Sequence, residues 1–227
     1  MRLLRGRADD HERDYGRTRE LVARVDEDRE PALRVWTPHR QVAFGRRDRR
    51  AEGYDRARAA ATERGYAVLE REVGGRAVAY TGTTVALALA EPTADGRDSI
   101  LARYDRVTDA VRRALRALGV DARDGEPPDA FCPGTHSLQA GGKLVGLAQR
   151  VRQSVALTAG VVVVRDHEAL AAVLDPVYAA LDVPFDPKSV GSVASAGGDD
   201  DPETVRRTLE DALVGGATPR TERIRDT

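Results

Sequence analysis

Cysteine is scarce in this chain, because Cys132 is the only cysteine among 227 residues. A single thiol cannot form an internal disulfide, so we expect a protein of the reducing cytoplasm. Aromatic residues make up only 4% of the chain, and we therefore expect a core built mainly from Val, Leu and Ala. The N-terminus lacks the apolar segment of a signal peptide, and no stretch approaches the roughly 18 apolar residues of a spanning helix. We expect no membrane association.

An excess of charge of either sign is also missing. The formal net charge is −1, which argues against a nucleic-acid-binding surface. Lysine is scarce as well, since Lys143 and Lys188 are the only lysines among 36 basic residues. Genomic base composition explains the many arginines, but a lysine beside two glycines suggests a need for an ammonium group. A compact ammonium can approach an acyl carbonyl or a phosphate as a point charge, unlike a planar guanidinium.

Apolar spacings of three and four residues predict helices, and short apolar runs between turns predict strands. The length suits one sizeable domain of helices and strands. The predicted helices cover residues 17–30, 53–64, 98–118, 166–181 and 202–213. The predicted strands cover residues 2–5, 32–36, 41–44, 66–69, 77–80, 84–90 and three segments within 131–164. We expect a main domain over residues 1–185, followed in 186–227 by a loop, a C-terminal helix and a frayed tail.

Two glycine pairs lie between predicted strands. They are Gly74–Gly75, within the segment VGGR, and Gly141–Gly142, directly before Lys143. Paired glycines let backbone N–H groups approach a ligand closely and can form an anion-binding loop. A simple turn is the alternative interpretation of both pairs. The first pair belongs neither to a Walker loop nor to a dinucleotide-binding fingerprint.

Cys132 lies in the segment FCPGTHSL, and it is a candidate nucleophile. A small buried hydrophobic residue is the alternative interpretation of a lone cysteine. The following Pro133-Gly134 predicts a turn that brings the thiol out of the strand. His136 is close enough in sequence to tune the thiol, but residues four apart in a strand or turn need not face each other, and a lone histidine is more often structural. No group of Cys, His and Asp has the spacing of a zinc site, so we expect no metal.

Three segments in a fixed order resemble motifs of the lipoate-protein ligase and octanoyltransferase family, which is related to the biotin ligases. In this chain they are TPHRQVAFGRR, REVGGRAVAYTG and GKLVGLAQR. The segment FCPGTHSL resembles the Cys-Pro-Gly segment of the amidotransferase branch of that family. The residues that match the second and third motifs are Arg71, Gly74, Gly75, Arg76, Ala77, Val78, Gly142, Lys143, Val145, Gly146, Ala148, Gln149 and Arg150.

The resemblance implies an α+β fold with a mainly antiparallel sheet flanked by helices, similar to the catalytic domain of biotin and lipoate protein ligases. It also implies transfer of a lipoyl or octanoyl group to the acceptor lysine of lipoyl-domain proteins. These would be the glycine cleavage carrier protein and the acyltransferase subunits of 2-oxoacid dehydrogenases. Cys132 would hold the acyl group as a thioester, and Lys143 would orient its carbonyl. The acyl or adenylate group would contact Arg71, Gly74, Gly75, Arg76, Ala77, Val78, Gly146 and Gln149.

Two alternatives stay open. The first is an ATP-dependent lipoate-protein ligase that acts through lipoyl-AMP, requires ATP and Mg²⁺, and has no use for Cys132. The second is a non-catalytic relative that only binds lipoate or lipoylated proteins. Tyr80 keeps this second alternative open, because it stands where the family commonly has a histidine. Under the transferase hypothesis we expect lipoate or octanoate as the acyl substrate and no tightly bound cofactor.

Overall fold

The structure is a computed structural model of the chain, and it describes residues 1–71, 73–93, 100–152 and 154–224. Its helices are α1 (His11–Asp28), α2 (Tyr54–Glu63), α3 (Ile100–Ala117), α4 (His167–Ala180) and α5 (Pro202–Val214). Its strands are β1 (Arg2–Arg5), β2 (Ala32–Trp36), β3 (Gln41–Phe44), β4 (Ala67–Glu70), β5 (Val78–Tyr80), β6 (Val85–Pro92), β7 (Arg123–Asp124), β8 (Ser137–Gln139), β9 (Lys143–Arg152), β10 (Val155–Val162) and β11 (Arg220–Arg223).

The strands form one large and one small sheet. The large sheet has the order β11-β1-β2-β6-β10-β9-β8-β7, and the small sheet has the order β4-β3-β5. In the large sheet β1 runs parallel to β2 and β11, and the other neighbours are antiparallel. The expected α+β fold with a mainly antiparallel sheet and flanking helices is therefore confirmed. Among the described residues, no helix has both the length and the apolar character needed to cross a lipid bilayer.

The core consists of two main clusters that share the long strand β10. Val162 belongs to the cluster that includes apolar residues of α3 and α5, whereas Val161 belongs to the cluster that includes α2 and α4. Successive side chains of a strand point to opposite faces of the sheet, so one apolar strand can supply both clusters. Val, Leu and Ala dominate the buried residues, as the low aromatic content predicts.

Helix α1 begins six residues before the predicted start at residue 17. Asp10 accepts hydrogen bonds from the backbone N–H groups of Glu12 and Arg13 and thereby caps the helix. The first turns are polar, with the sequence HERDYG, and they carry no apolar periodicity that could reveal them. At the other end Arg29 has the left-handed conformation, with φ = 61°, and the chain leaves the helix before Pro31.

The expectation of a frayed tail is wrong for residues 220–223. These residues form β11, which pairs with β1 along its whole length. Glu222 on this strand accepts hydrogen bonds from Arg2 and Arg24. The unpaired backbone groups of β1 and the two arginines explain why a short, charged segment becomes ordered. Residues 225–227, also part of the expected frayed tail, lie outside the described residues.

Gly142 and Gly191 bring two segments of backbone into close contact beside β9. A Cβ atom on Gly142 would lie 2.6 Å from the backbone nitrogen of Gly191. The N–H of Gly191 also donates to the carbonyl of Lys143 at 3.0 Å. Backbone atoms held in this way cannot make room for a side chain.

We expect Gly142→Ala to lower the free energy of unfolding by about 1–3 kcal/mol through overpacking. Urea unfolding followed by circular dichroism measures the change. Gly216→Ala is the control, because a Cβ there meets no atom within 4 Å, and we expect a change of at most about 0.5 kcal/mol. Equal stabilities of the two variants would contradict the close approach.

Candidate active site

A cavity of about 620 Å³ opens beside the large sheet. Its walls come from β6, β9 and β10, from the loop of residues 73–75, and from the loop of residues 131–136. Small side chains of the sheet do not fill the cavity, and larger apolar side chains form its sides. The apolar lining includes Val78, Ala86, Leu87, Ala88, Leu147, Ala148, Val155, Leu157, Ala159 and Val161. The volume lies in the range of pockets that bind small organic molecules, roughly 300–1,000 Å³.

Cys132 faces this cavity from the loop that precedes β8. Its backbone has the left-handed conformation, with φ = 42°, which is uncommon for a residue with a side chain. The hydroxyl oxygen of Tyr178 accepts a hydrogen bond from the Cys132 N–H at 2.6 Å and donates to the Ala77 carbonyl at 3.0 Å. The expected turn therefore exists, and it places a half-buried thiol in the wall of the cavity.

The thiol of Cys132 has a cationic neighbour. Nη2 of Arg71 donates to Sγ at 3.0 Å, and the same guanidinium group donates to the Arg76 carbonyl. Burial acts to raise the pKa of the Cys132 thiol, but the Arg71 cation opposes it, together with the backbone N–H groups of Arg76 and Gly75 and the charge of Lys143. The result is a pKa below the ordinary value, and this favours the nucleophilic thiolate.

Lys143 does not face the cavity, contrary to the expectation that it contacts an acyl carbonyl. Its side chain is 0% exposed. Nζ donates to Glu126 at 2.5 Å, to the Phe131 carbonyl at 2.8 Å and to the Cys132 carbonyl at 2.9 Å. An ammonium group has three hydrogen-bond donors, and all three are used within the protein. Lys143 therefore acts on the backbone that carries the thiol.

Glu126 is a residue that sequence reasoning missed. It lies in the polar connector between α3 and β8, where nothing distinguishes it from other surface carboxylates. Besides Lys143, it accepts hydrogen bonds from the Gly134 N–H at 2.9 Å and from the Ser137 hydroxyl at 2.8 Å. Tyr178 was missed for a similar reason, because α4 follows the Cys132 loop by more than thirty residues.

The described residues of the segment 71–78 do not all line the cavity. Gly74, Gly75 and Val78 line the cavity together with Arg71, whereas Arg76 and Ala77 do not. The Arg76 guanidinium instead contacts the buried carboxylate of Asp48 at 3.3 Å. Gly74 has φ = 93°, and a Cβ atom there would meet Nη1 of Arg71 at 2.4 Å. The glycine is therefore required for the approach of Arg71 to the loop.

The remaining expected ligand contacts lie on β9. Gly146 and Gln149 both line the cavity. The Gln149 amide is engaged by protein groups, since it donates to the Thr158 hydroxyl at 3.0 Å and accepts from Arg103 at 3.3 Å. Gly146 also packs against the Lys143 side chain, because a Cβ there would lie 3.4 Å from Cε of Lys143.

His136 and Tyr80 also line the cavity, in different environments. The His136 ring stacks on Tyr104 with ring centroids 3.6 Å apart. In the described part of the chain no hydrogen bond joins His136 to Cys132, so the contacts of His136 favour the structural interpretation over tuning of the thiol. Tyr80 is close to the thiol and to Arg71, and burial raises the pKa of its phenol.

Comparison with known proteins identifies the family of this chain. A family model described as "Lipoyl protein ligase A/B catalytic domain" matches residues 13–213. The chain belongs to this family. The resemblance seen in the motifs is thereby confirmed.

Two curated relatives are transferases. The Bacillus velezensis protein "Octanoyl-[GcvH]:protein N-octanoyltransferase" is 32% identical over 133 residues, 57% of this chain and 46% of the relative. The Listeria monocytogenes protein "Lipoyl-[GcvH]:protein N-lipoyltransferase" is 26% identical over 119 residues, 52% of this chain and 43% of the relative. The chain thus spans less than half the length of these curated relatives.

Two solved structures share the fold. A lipoate-protein ligase A bound with ATP superposes with a TM-score of 0.77 at 22% identity, over 99% of this chain and 89% of that chain. Ta0514, a putative lipoate protein ligase from T. acidophilum with bound lipoic acid, gives 0.75 at 23% identity, with the same coverage of both chains. At these identities the likeness concerns the fold of the domain.

We expect Arg71→Met to raise the pKa of the Cys132 thiol, because the variant loses the cation in contact with Sγ. A rise of one pKa unit lowers the thiolate fraction near neutral pH by about tenfold, and the rate of alkylation by iodoacetamide should fall accordingly. The pH dependence of that rate measures the pKa. Arg49→Gln is the control, since its guanidinium pairs with Glu70. An unchanged profile for Arg71→Met would show that the thiol does not depend on this cation.

Proposed function

We propose that this protein transfers a lipoyl or octanoyl group between carrier proteins through a thioester on Cys132. The observation that carries this proposal is the contact between the Cys132 thiol and the Arg71 guanidinium at the wall of an apolar cavity. A lone structural cysteine has no need of a cation on its sulfur. A nucleophile does, because the cation increases the thiolate fraction at neutral pH.

The reaction has two steps. In the first, the Cys132 thiolate attacks the acyl carbonyl on the donor carrier, a C–S bond forms, and the C–N bond to the donor lysine breaks. The released amine takes a proton from water at the cavity mouth. In the second, the amine of the acceptor lysine attacks the thioester, a C–N bond forms, the C–S bond breaks, and the amine gives its proton to water. Arg71 stabilises the thiolate before the first step and after the second.

The cavity suits a medium-length acyl chain on a protein carrier. Its sheet wall is apolar, so the hydrocarbon part of octanoate or lipoate would be shielded from water there. The charged residues that line it are all arginines, namely Arg19, Arg46, Arg47, Arg71, Arg150 and Arg152, and none of the described lining residues is a carboxylate. Arg19, Arg46, Arg47 and Arg152 are exposed, and exposed positive charge beside the cavity favours a carrier with an acidic surface. The names of the curated transferases support the glycine cleavage carrier protein as one partner, and the acyltransferase subunits of 2-oxoacid dehydrogenases are proposed as others.

The transferase is favoured over the ATP-dependent ligase by the positions of two cations. In the ligase, Lys143 and Arg76 would contact the adenylate phosphate and carboxylate. In this structure their charged groups bind Glu126 and Asp48. The proposed transfer needs no ATP, no Mg²⁺ and no tightly bound cofactor. The lone free cysteine is suited to a reducing compartment, and we place the reaction in the cytoplasm.

We expect incubation of the protein with an acylated carrier to produce an acyl-enzyme heavier by one octanoyl or lipoyl group. Intact-mass spectrometry detects this adduct, and hydroxylamine should remove it, as it cleaves a thioester. Cys132→Ser should form no adduct, because a serine hydroxyl has almost no ionised fraction at neutral pH. Acylation of a lipoyl domain by Cys132→Ser at the wild-type rate, with ATP and free lipoate, would support the ligase instead.

A further inference from the structure

We propose that Glu126 is a positioning residue, which acts through Lys143, the loop of residues 131–136 and Ser137 at the start of β8 to hold the Cys132 thiol against Arg71. The proposal rests on the proposed role of Cys132 as the nucleophile. It gives Lys143 the same positioning role, and we call Glu126 and Lys143 together the clamp. Contact with the sulfur is left to Arg71.

The clamp holds the backbone on both sides of Cys132. Lys143 donates to the carbonyls of residues 131 and 132, at 2.8 and 2.9 Å. Glu126 accepts from the N–H of Gly134 and from the hydroxyl of Ser137. The two charged groups meet at 2.5 Å, and the ammonium group has no exposed surface. Glu126 therefore satisfies the third donor of a buried cation and ties that cation to the second half of the loop.

The backbone conformation of Cys132 requires hydrogen bonds of this kind. Cys132 has a left-handed backbone conformation, with φ = 42°, which a residue with a side chain adopts only when its surroundings hold it there. The next residue, Pro133, carries no N–H that could hold the loop. Lys143 fixes the carbonyl of the left-handed residue, and Tyr178 fixes its N–H. In this conformation Sγ reaches the Arg71 guanidinium.

The sign of a pKa change distinguishes positioning from a direct effect of charge. The titratable groups whose charge affects the thiol, or is affected by it, are Arg71 from the segment after β4, Tyr80 on β5, Lys143 on β9 and Tyr178 on α4. The negative charge of Glu126 disfavours a nearby thiolate, so a direct effect of its removal lowers the pKa of the thiol. Loss of positioning separates the thiol from Arg71 and raises that pKa.

The test is Glu126→Gln in the full chain, with the pH dependence of iodoacetamide alkylation as the measurement. We expect the pKa of the Cys132 thiol to rise, with about a tenfold slower alkylation near neutral pH for each unit of change. With an acylated carrier, kcat should fall and KM should stay near the wild-type value. Glu210→Gln is the matched control, because Glu210 is a buried carboxylate that binds Arg5 and Arg206 and does not line the cavity.

A double-mutant cycle with Arg71→Met tests whether Glu126 acts through the contact between Arg71 and the thiol. If it does, Glu126→Gln changes the pKa of the thiol little once Arg71 is absent. A lowered or unchanged pKa in the single variant, or an equal rise in the Arg71→Met background, would overturn the proposal. A rise of the same size in Glu210→Gln would also overturn it.

A second variant covers the case in which Glu126→Gln does not fold. Ser137→Ala removes one hydrogen bond to Glu126, and we expect a smaller rise in the same pKa. An unchanged pKa in the folded Ser137→Ala protein would then count against the clamp. Alkylation requires no acyl group, so failure of the wild-type protein to form an acyl-enzyme would reject the proposed function without deciding the role of Glu126.

Discussion

The buried ammonium group of Lys143 constrains the whole site. A charge without access to water requires counter-charge and hydrogen-bond acceptors, because burial of an unpaired ion is very costly. In this protein the acceptors are the carboxylate of Glu126 and two carbonyls of the Cys132 loop. The connector after α3, the loop before β8 and the start of β9 must therefore fold together. The position of the thiol follows from this joint requirement.

The sequence predicts most of the fold, since the apolar periodicity of α3 and the runs of β6 and β10 correspond to elements of the structure. It fails where order depends on partners distant in the chain. The polar first turns of α1 require the Asp10 cap, and β11 requires the edge of β1 and the arginines that bind Glu222. No local pattern in these segments carries that information.

The candidate site, like the fold, was predictable from the sequence only in part. Cys132, Arg71 and the glycine loop were identified from motifs, and the structure brings them together at one cavity. The motif does not predict the direction of a side chain, because the charged groups of Lys143 and Arg76 bind Glu126 and Asp48 and do not line the cavity. Two residues of the same motifs, Gly75 and Gly146, do line the cavity. A motif therefore indicates which residues lie close to the cavity. The hydrogen-bond acceptors around each side chain determine whether it points into the cavity.

Strand β11 also covers an edge of the large sheet that would otherwise be open. Its sequence, Arg-Thr-Glu-Arg, covers one side of β1 and presents charged side chains at the outer edge of the large sheet. A chain shortened before Arg220 would expose the backbone N–H and C=O groups of Arg2–Arg5, next to the buried Leu3. Open edges of this kind recruit strands from other molecules. We therefore expect the C-terminal segment to limit aggregation, an effect separate from the chemistry at the cavity.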